Sequence, residues 1–74
     1  MTRLPMLSAR KIVAALKRAG FEEVNFKGSH LYLHHSTKDV ETCVPMHSGD
    51  LGRALVRAIL QQAGLTEEEF RQLL

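Results

Sequence analysis

The sequence predicts a small α+β domain, in which a three-stranded antiparallel sheet is flanked by one helix before it and two after it. Apolar residues recur every three or four positions near both ends of the chain, and they alternate with polar residues in the middle. Gly, Pro, Ser and Asp separate these segments. A chain of 74 residues has room for one core only, so we expect a single domain over residues 1–74.

The first helix is predicted within residues 8–20. Ser8 is placed to cap its N-terminus, and Gly20 to end it. The apolar residues that share one face are Ile12, Val13, Leu16 and Ala19.

Three strands are predicted to follow as a meander. In FEEVNFK, strict alternation places Val24 and Phe26 on one face and Glu23, Asn25 and Lys27 on the other. HLYLHH alternates again after Gly28 and Ser29, and STKD is the next turn. In VETCVPM, Pro45 cannot donate a ladder hydrogen bond, which indicates a sheet edge or a strand end.

The C-terminal part predicts one long and one short helix. The long helix has Ser48 or Asp50 as its cap and Gly64 as its stop. Its apolar positions are Leu51, Leu55, Val56, Ile59, Leu60 and Ala63. Thr66 and Glu69 have capping-box spacing at the start of the short helix, which ends on apolar Phe70, Leu73 and Leu74.

These elements pack most economically with both long helices on one face of the sheet. Leu31 and Leu33 then point toward the helices, and His30, Tyr32 and His34 lie on the open face.

Composition narrows the functional classes. No apolar stretch approaches the ~20 residues that span a bilayer, and the first residues lack an apolar signal core, so we expect a cytoplasmic protein without membrane association. The single cysteine, Cys43, agrees with a reducing compartment. Residues 1–35 include six Lys or Arg and two Glu. Residues 36–74 include four Lys or Arg and six Asp or Glu. This basic first half favours an anionic partner such as nucleic acid.

The segment KGSHLYLHH holds three of the four histidines. His30 and His34 lie about 13 Å apart in a strand, too far to bind one zinc ion at about 2 Å. A zinc site built from Cys43, His47 and either His34 or His35 is a less favoured alternative to surface imidazoles. We expect no metal and no cofactor.

A catalytic interpretation centres on His30. Gly28 lets a phosphate backbone approach closely, Ser29 offers a hydroxyl and an N–H, and Lys27 offers positive charge. An imidazole can both take and give protons at neutral pH, and these groups are the parts that metal-independent RNA cleavage needs. Lys-Gly-Ser equally fits a three-residue hairpin loop without any catalytic role.

Other side chains allow two interpretations each. His47 could contact a phosphate or serve as a loop histidine. Arg53 and Arg57 could follow an RNA backbone, but a solvated helix face is favoured. Tyr32 could stack on a base or only shield the open sheet face.

The segments LSARKIVAALKRAGFEEVNFKGSHLYL, VPMHSGDL and RAILQQAGLTEEEF, taken together, resemble the HicA family of bacterial toxins, also called YcfA-like proteins. The resemblance implies a fold like a double-stranded-RNA-binding domain. It also implies a ribosome-independent mRNA endonuclease with His30 as the essential residue, and a HicB-type antitoxin partner in a higher-order complex. Ala54 and Leu55 stand where family members often carry Gly-Thr, which favours a longer regular helix and puts RNA affinity there in doubt.

Two alternatives to a toxin RNase stay open. One is a non-catalytic RNA-binding module of the same fold. The other is a protein-interaction domain that uses the open sheet face or an edge strand, which predicts no salt-dependent RNA binding.

Overall fold

A computed structural model describes residues 4–74. The elements are β1 (Leu7–Ser8), α1 (Ala9–Arg18), β2 (Glu22–Lys27), β3 (His30–His35), β4 (Val40–Pro45), β5 (Asp50–Leu51), α2 (Arg53–Ala63) and α3 (Glu67–Gln72). The predicted helices and the three predicted strands follow in the expected order, and two short strands that were not predicted, β1 and β5, add to them. The predicted α+β class and the three-stranded antiparallel sheet, in the order β2-β3-β4, are confirmed. Within residues 4–74 no helix has both the length and the apolar character of a membrane span.

Helix α1 begins and ends where its local sequence predicts. The Ser8 side chain accepts a hydrogen bond from the Lys11 backbone N–H at 3.4 Å. At the other end Gly20 has a φ of 107°, and the backbone N–H groups of Gly20 and Phe21 donate to the carbonyls of Lys17 and Leu16. This is a Schellman ending, which needs a residue with positive φ and therefore favours glycine.

The sheet buries one face against both long helices, as expected. Leu31 is opposite Val44 and Leu33 is opposite Thr42 across the β3/β4 ladder, so these four side chains share a face. All four are buried. The Thr42 hydroxyl donates to the carbonyl of Ile59 in α2 at 3.2 Å. The buried hydrophobic residues of the core are Leu4, Ala9, Ile12, Val13, Ala15, Leu16, Phe21, Leu31, Leu33, Val44, Leu51, Val56, Ile59, Leu60, Ala63 and Phe70.

Strict alternation in β2 was a wrong prediction. A register shift between Glu23 and Asn25 places Glu23 opposite Leu33 and Phe26 opposite Leu31. A bulge adds one residue to a strand and so reverses the alternation beyond it. Glu23 and Phe26 therefore lie on the helix side of the sheet together. Phe26 nevertheless stays 58% exposed at the sheet edge.

The start of α2 also differs from the prediction. Gly52, rather than Ser48 or Asp50, is the N-cap, and it makes no side-chain cap hydrogen bond. Asp50 instead belongs to β5, which pairs with β1 in a two-stranded ladder, with Ser8 opposite Asp50. Leu55, expected on the apolar face, is 38% exposed.

The short helix α3 has the predicted capping box. The Glu69 backbone N–H donates to the Thr66 hydroxyl at 3.0 Å, and the Thr66 backbone N–H donates to the Glu69 carboxylate at 2.8 Å. Phe70 is fully buried, whereas Leu74 of the same apolar flank is 49% exposed.

Candidate functional site

The turn that contains the candidate catalytic group joins β2 to β3. Lys27 and His30 are paired across the hairpin, so the loop has two residues, Gly28 and Ser29, which are the predicted turn residues, and it is shorter than the three-residue loop of the alternative interpretation. Gly28 has a φ of 58°, as the first central position of a tight hairpin turn requires. Nothing lies within 4 Å of the position that a Cβ would take at Gly28. The turn is therefore tight, exposed and open to close approach by a ligand.

The turn is anchored to the end of β4. The Met46 backbone N–H donates to the Ser29 carbonyl at 2.6 Å, and Pro45 is opposite His30 in the β3/β4 ladder. His30 therefore begins a strand that is held on both sides, although its side chain is exposed. Directly opposite residues have side chains on the same face, with Cβ atoms about 5 Å apart, so the Lys27 and His30 side chains leave the sheet on the same side and the ammonium can reach a group bound at the imidazole.

Four of the predicted site residues, Lys27, Gly28, Ser29 and His30, therefore lie together. The fifth, His47, is two residues beyond the strand partner of His30, in the loop between β4 and β5. It is exposed and lines a surface depression with Arg10 and Ser48. Sequence reasoning missed Arg10, because its position beside His47 depends on contacts between segments far apart in the chain.

The histidines at the other end of β3 have structural partners. The Lys38 backbone N–H donates to His35 Nδ1 at 3.2 Å, so Nε2 carries the proton and donates to the Ala19 carbonyl at 3.1 Å. His35 also makes an edge contact with Phe21, with ring centroids 5.2 Å apart. His34 Nε2 is 3.0 Å from an oxygen of Asp39. The alternative zinc site is not assembled, since no group of three or more His, Cys, Asp or Glu side chains in residues 4–74 is placed to hold a metal ion.

Tyr32 lies on the open sheet face beside Cys43, its partner in the β3/β4 ladder. The negative charge of the Cys43 thiolate and its hydrogen bond raise the pKa of the Tyr32 hydroxyl, and burial and Glu41 add to the effect. Tyr32 is therefore neutral at physiological pH and adds no negative charge to this face.

Both arginines of α2 have partners within the chain. Arg53 Nε donates to the Leu4 carbonyl at 2.7 Å, and Arg57 Nε donates to the Glu67 carboxylate at 3.1 Å. Their contacts tie α2 to the N-terminal segment and to α3, so neither guanidinium needs an RNA partner to explain it.

Comparison with known proteins identifies the family to which the chain is similar. The family model described as the HicA toxin of bacterial toxin–antitoxin systems matches residues 9–65, well over half of the chain. This range contains α1, the three-stranded sheet, the Lys27–His30 turn, His47 and α2. A search of curated proteins found no match.

Proposed function

The chain belongs to the HicA toxin family of bacterial toxin–antitoxin systems, and from this premise we propose that it is a ribosome-independent mRNA endonuclease that uses His30. The observation that carries the proposal is the exposed imidazole of His30 opposite Lys27, on a two-residue turn. A proton-transfer group and a cation are thereby held next to a glycine that leaves space for a phosphate.

The proposed reaction begins at the ribose 2′-hydroxyl. His30, as general base, takes the hydroxyl proton while the 2′-oxygen attacks the adjacent phosphorus. The bond from phosphorus to the 5′-oxygen of the next nucleotide then breaks, and that oxygen takes a proton from solvent water at the exposed turn, while His30 returns the proton it took to the solvent. The products are a 2′,3′-cyclic phosphate and a 5′-hydroxyl end. This chemistry needs no metal, because an imidazole moves the proton and an ammonium balances the charge.

The other residues of the turn position the phosphate. Lys27 stabilises the negative charge that increases on the phosphate oxygens in the transition state. Gly28 allows the RNA backbone close access, and Ser29 offers its hydroxyl. His47 contacts the RNA beside the turn, because the Met46–Ser29 hydrogen bond keeps its loop against the turn. A site fixed on paired strands holds the reacting groups in place, which is a large part of enzymatic rate enhancement.

Membership of a toxin–antitoxin family implies an antitoxin as the protein partner. We propose a HicB-type antitoxin that inhibits the toxin by covering the Lys27–His30 turn. Because His30 is exposed, a protein that binds over the turn can exclude RNA without changing the fold of the toxin.

The test is cleavage of a long single-stranded RNA by the purified protein and by its His30→Ala variant, both with excess chelator. We expect cleavage by the unchanged protein alone, with 5′-hydroxyl and 2′,3′-cyclic phosphate ends. Ends that carry a 5′-phosphate, or activity that chelator abolishes, would contradict the mechanism.

RNA binding by the same two proteins separates the enzyme from a non-catalytic RNA-binding module. If His30 acts in the chemical step, the His30→Ala variant retains RNA binding and loses cleavage. If neither protein cleaves while both bind, the turn is a binding hairpin and the enzymatic proposal fails.

A further inference from the structure

A second polar surface adjoins the proposed catalytic turn. The loop after β4 and the first residues of α1 enclose an open depression of about 340 Å³, near the lower limit of the roughly 300–1,000 Å³ that ligand sites occupy. Its lining residues are Ser8, Ala9, Arg10, Met46, His47, Ser48 and Gly49. Arg10 carries a positive charge and no carboxylate is among them, so the depression favours an anion. Arg10 also lines the neighbouring depression, where the Glu23 carboxylate is paired with Lys17.

Two of the four basic side chains of α1 have partners within residues 4–74. Lys17 forms an ion pair with Glu23, and Arg18 donates to the Leu73 carbonyl at 2.6 Å. The Lys11 side chain has no such partner, but it lines a different groove, beside Leu74. Arg10 is exposed and has no hydrogen-bond or ion-pair partner within residues 4–74. Its guanidinium is therefore available to an external ligand, next to His47.

Two backbone connections fix this depression relative to the catalytic turn. The β1/β5 ladder pairs Ser8 with Asp50 and so holds the start of α1 against the end of the loop. At the start of the same loop, the Met46 backbone N–H is bonded to the Ser29 carbonyl. Arg10 and the turn thus have a fixed relation, although 18 positions separate Arg10 from Gly28 in the chain.

We propose that Arg10 and His47 form a second phosphate-binding subsite, which holds the RNA backbone next to the scissile phosphate at the Lys27–His30 turn. This inference rests on the proposed function and extends it to a residue outside the turn. A guanidinium suits this role because it donates two parallel hydrogen bonds to phosphate oxygens. Arg10 is a positioning residue: it binds RNA and leaves proton transfer to His30.

The test measures binding of a 5′-labelled single-stranded RNA of mixed sequence to the full chain carrying His30→Ala, so that cleavage cannot interfere. Arg10→Ala should weaken binding about tenfold, the loss expected for a charge-assisted hydrogen bond. It should also reduce the slope of log affinity against log salt by about 0.7, the value for one phosphate contact on a single strand. Arg10→Lys should keep the slope while recovering only part of the affinity.

Lys11→Ala is the matched control, because it removes the same charge from the neighbouring residue of α1, which lines another groove. A loss confined to Arg10→Ala supports the subsite. Equal losses for the two variants would indicate a net-charge effect and overturn the subsite, while the His30 proposal would stand. If the His30→Ala protein binds no RNA and the unchanged protein cleaves none, the proposed function itself fails.

Cleavage kinetics of Arg10→Ala with His30 intact should show a raised KM and a nearly unchanged kcat.

Discussion

The four histidines form two pairs with opposite surroundings. His34 and His35, at one end of β3, have ring nitrogens near Asp39, the Ala19 carbonyl and the Lys38 N–H. His30, at the other end of the strand, and His47 are exposed and have no hydrogen-bond partner within residues 4–74. The same residue type thus connects elements at one end and faces outward at the other.

This difference separates stability from proposed function along a single strand. His35 links β3 to the end of α1, and its removal affects the packing of two elements. His30 contacts solvent, so its removal has little effect on the fold. A histidine-rich segment can therefore contain both histidines with partners in the fold and histidines that are open to a ligand, and these partners rather than sequence spacing distinguish them.

The largest expected effect is that of replacing His30, the exposed histidine at the start of β3. His30→Ala should reduce RNA cleavage by about 10²- to 10⁴-fold, the usual contribution of a positioned general acid or base. The midpoint of urea unfolding should not change, because the side chain is exposed. A variant that unfolds more easily, or that cleaves at the original rate, would contradict the proposed role of His30 in cleavage.

The next effect compares two glycines, Gly20 beside His35 and Gly28 in the turn before His30. Gly20→Ala should destabilise the protein by about 2–4 kcal/mol, the sum of backbone strain and a lost hydrogen bond. The φ of Gly20 is 107°, and an added Cβ would lie 2.7 Å from His35 Nε2. Gly28→Ala should cost less, about 1–2 kcal/mol, because the left-handed φ is the only penalty there. Urea unfolding at equilibrium measures both.

A double-mutant cycle identifies the cause of the Gly20 effect. In a His35→Ala background the clash is absent, so Gly20→Ala should cost about 1–3 kcal/mol, the backbone strain alone. An unchanged cost would show that the contact with His35 contributes nothing.

Much of the fold follows from local patterns in the sequence. Ser8 and Gly20 mark the ends of α1, the Thr66–Glu69 capping box starts α3, and Pro45 ends an edge strand, because each signal acts within a few residues. The bulge after Glu23 lacks such a local signal. It is seen only in the register with which β2 pairs with β3.

The candidate site was predictable to a similar extent. The turn from Lys27 to His30 was evident, since glycine and serine between alternating segments indicate a hairpin. The partners of His35 were not, because Ala19 lies 16 positions away in the chain. Arg10 was missed for the same reason: the β1/β5 ladder, two residues long in each strand, brings it near His47.

The contributions of His34 and His35 to stability can also be tested directly. His35→Ala should destabilise the protein by about 1–3 kcal/mol, from the lost edge contact with Phe21 and the hydrogen bonds of Ala19 and Lys38. His34→Ala should cost less than about 1 kcal/mol, since its partner Asp39 is exposed. Under conditions where both variants are folded, cleavage should match that of the unchanged protein. A selective loss of activity in either variant would move that histidine into the reactive group.

A control lies at a position remote from all four histidines. Thr66→Ala removes the cap of α3 and should cost about 1 kcal/mol, without changing cleavage by the folded protein.

The hydrogen bonds from Thr66 hold the pKa of Glu69 below its ordinary value of 4.5. Since this pKa is lower in the folded than in the unfolded chain, the stabilisation is complete above the unfolded value and is lost as the pH falls through the folded value. Glu69→Gln should therefore flatten the acid limb of the stability curve below about pH 4.5, the range in which unfolded glutamates become protonated.

If Thr66→Ala reduced cleavage as much as His30→Ala does, loss of activity could not be assigned to the chemistry of His30, and the division of the histidines into two groups would fail.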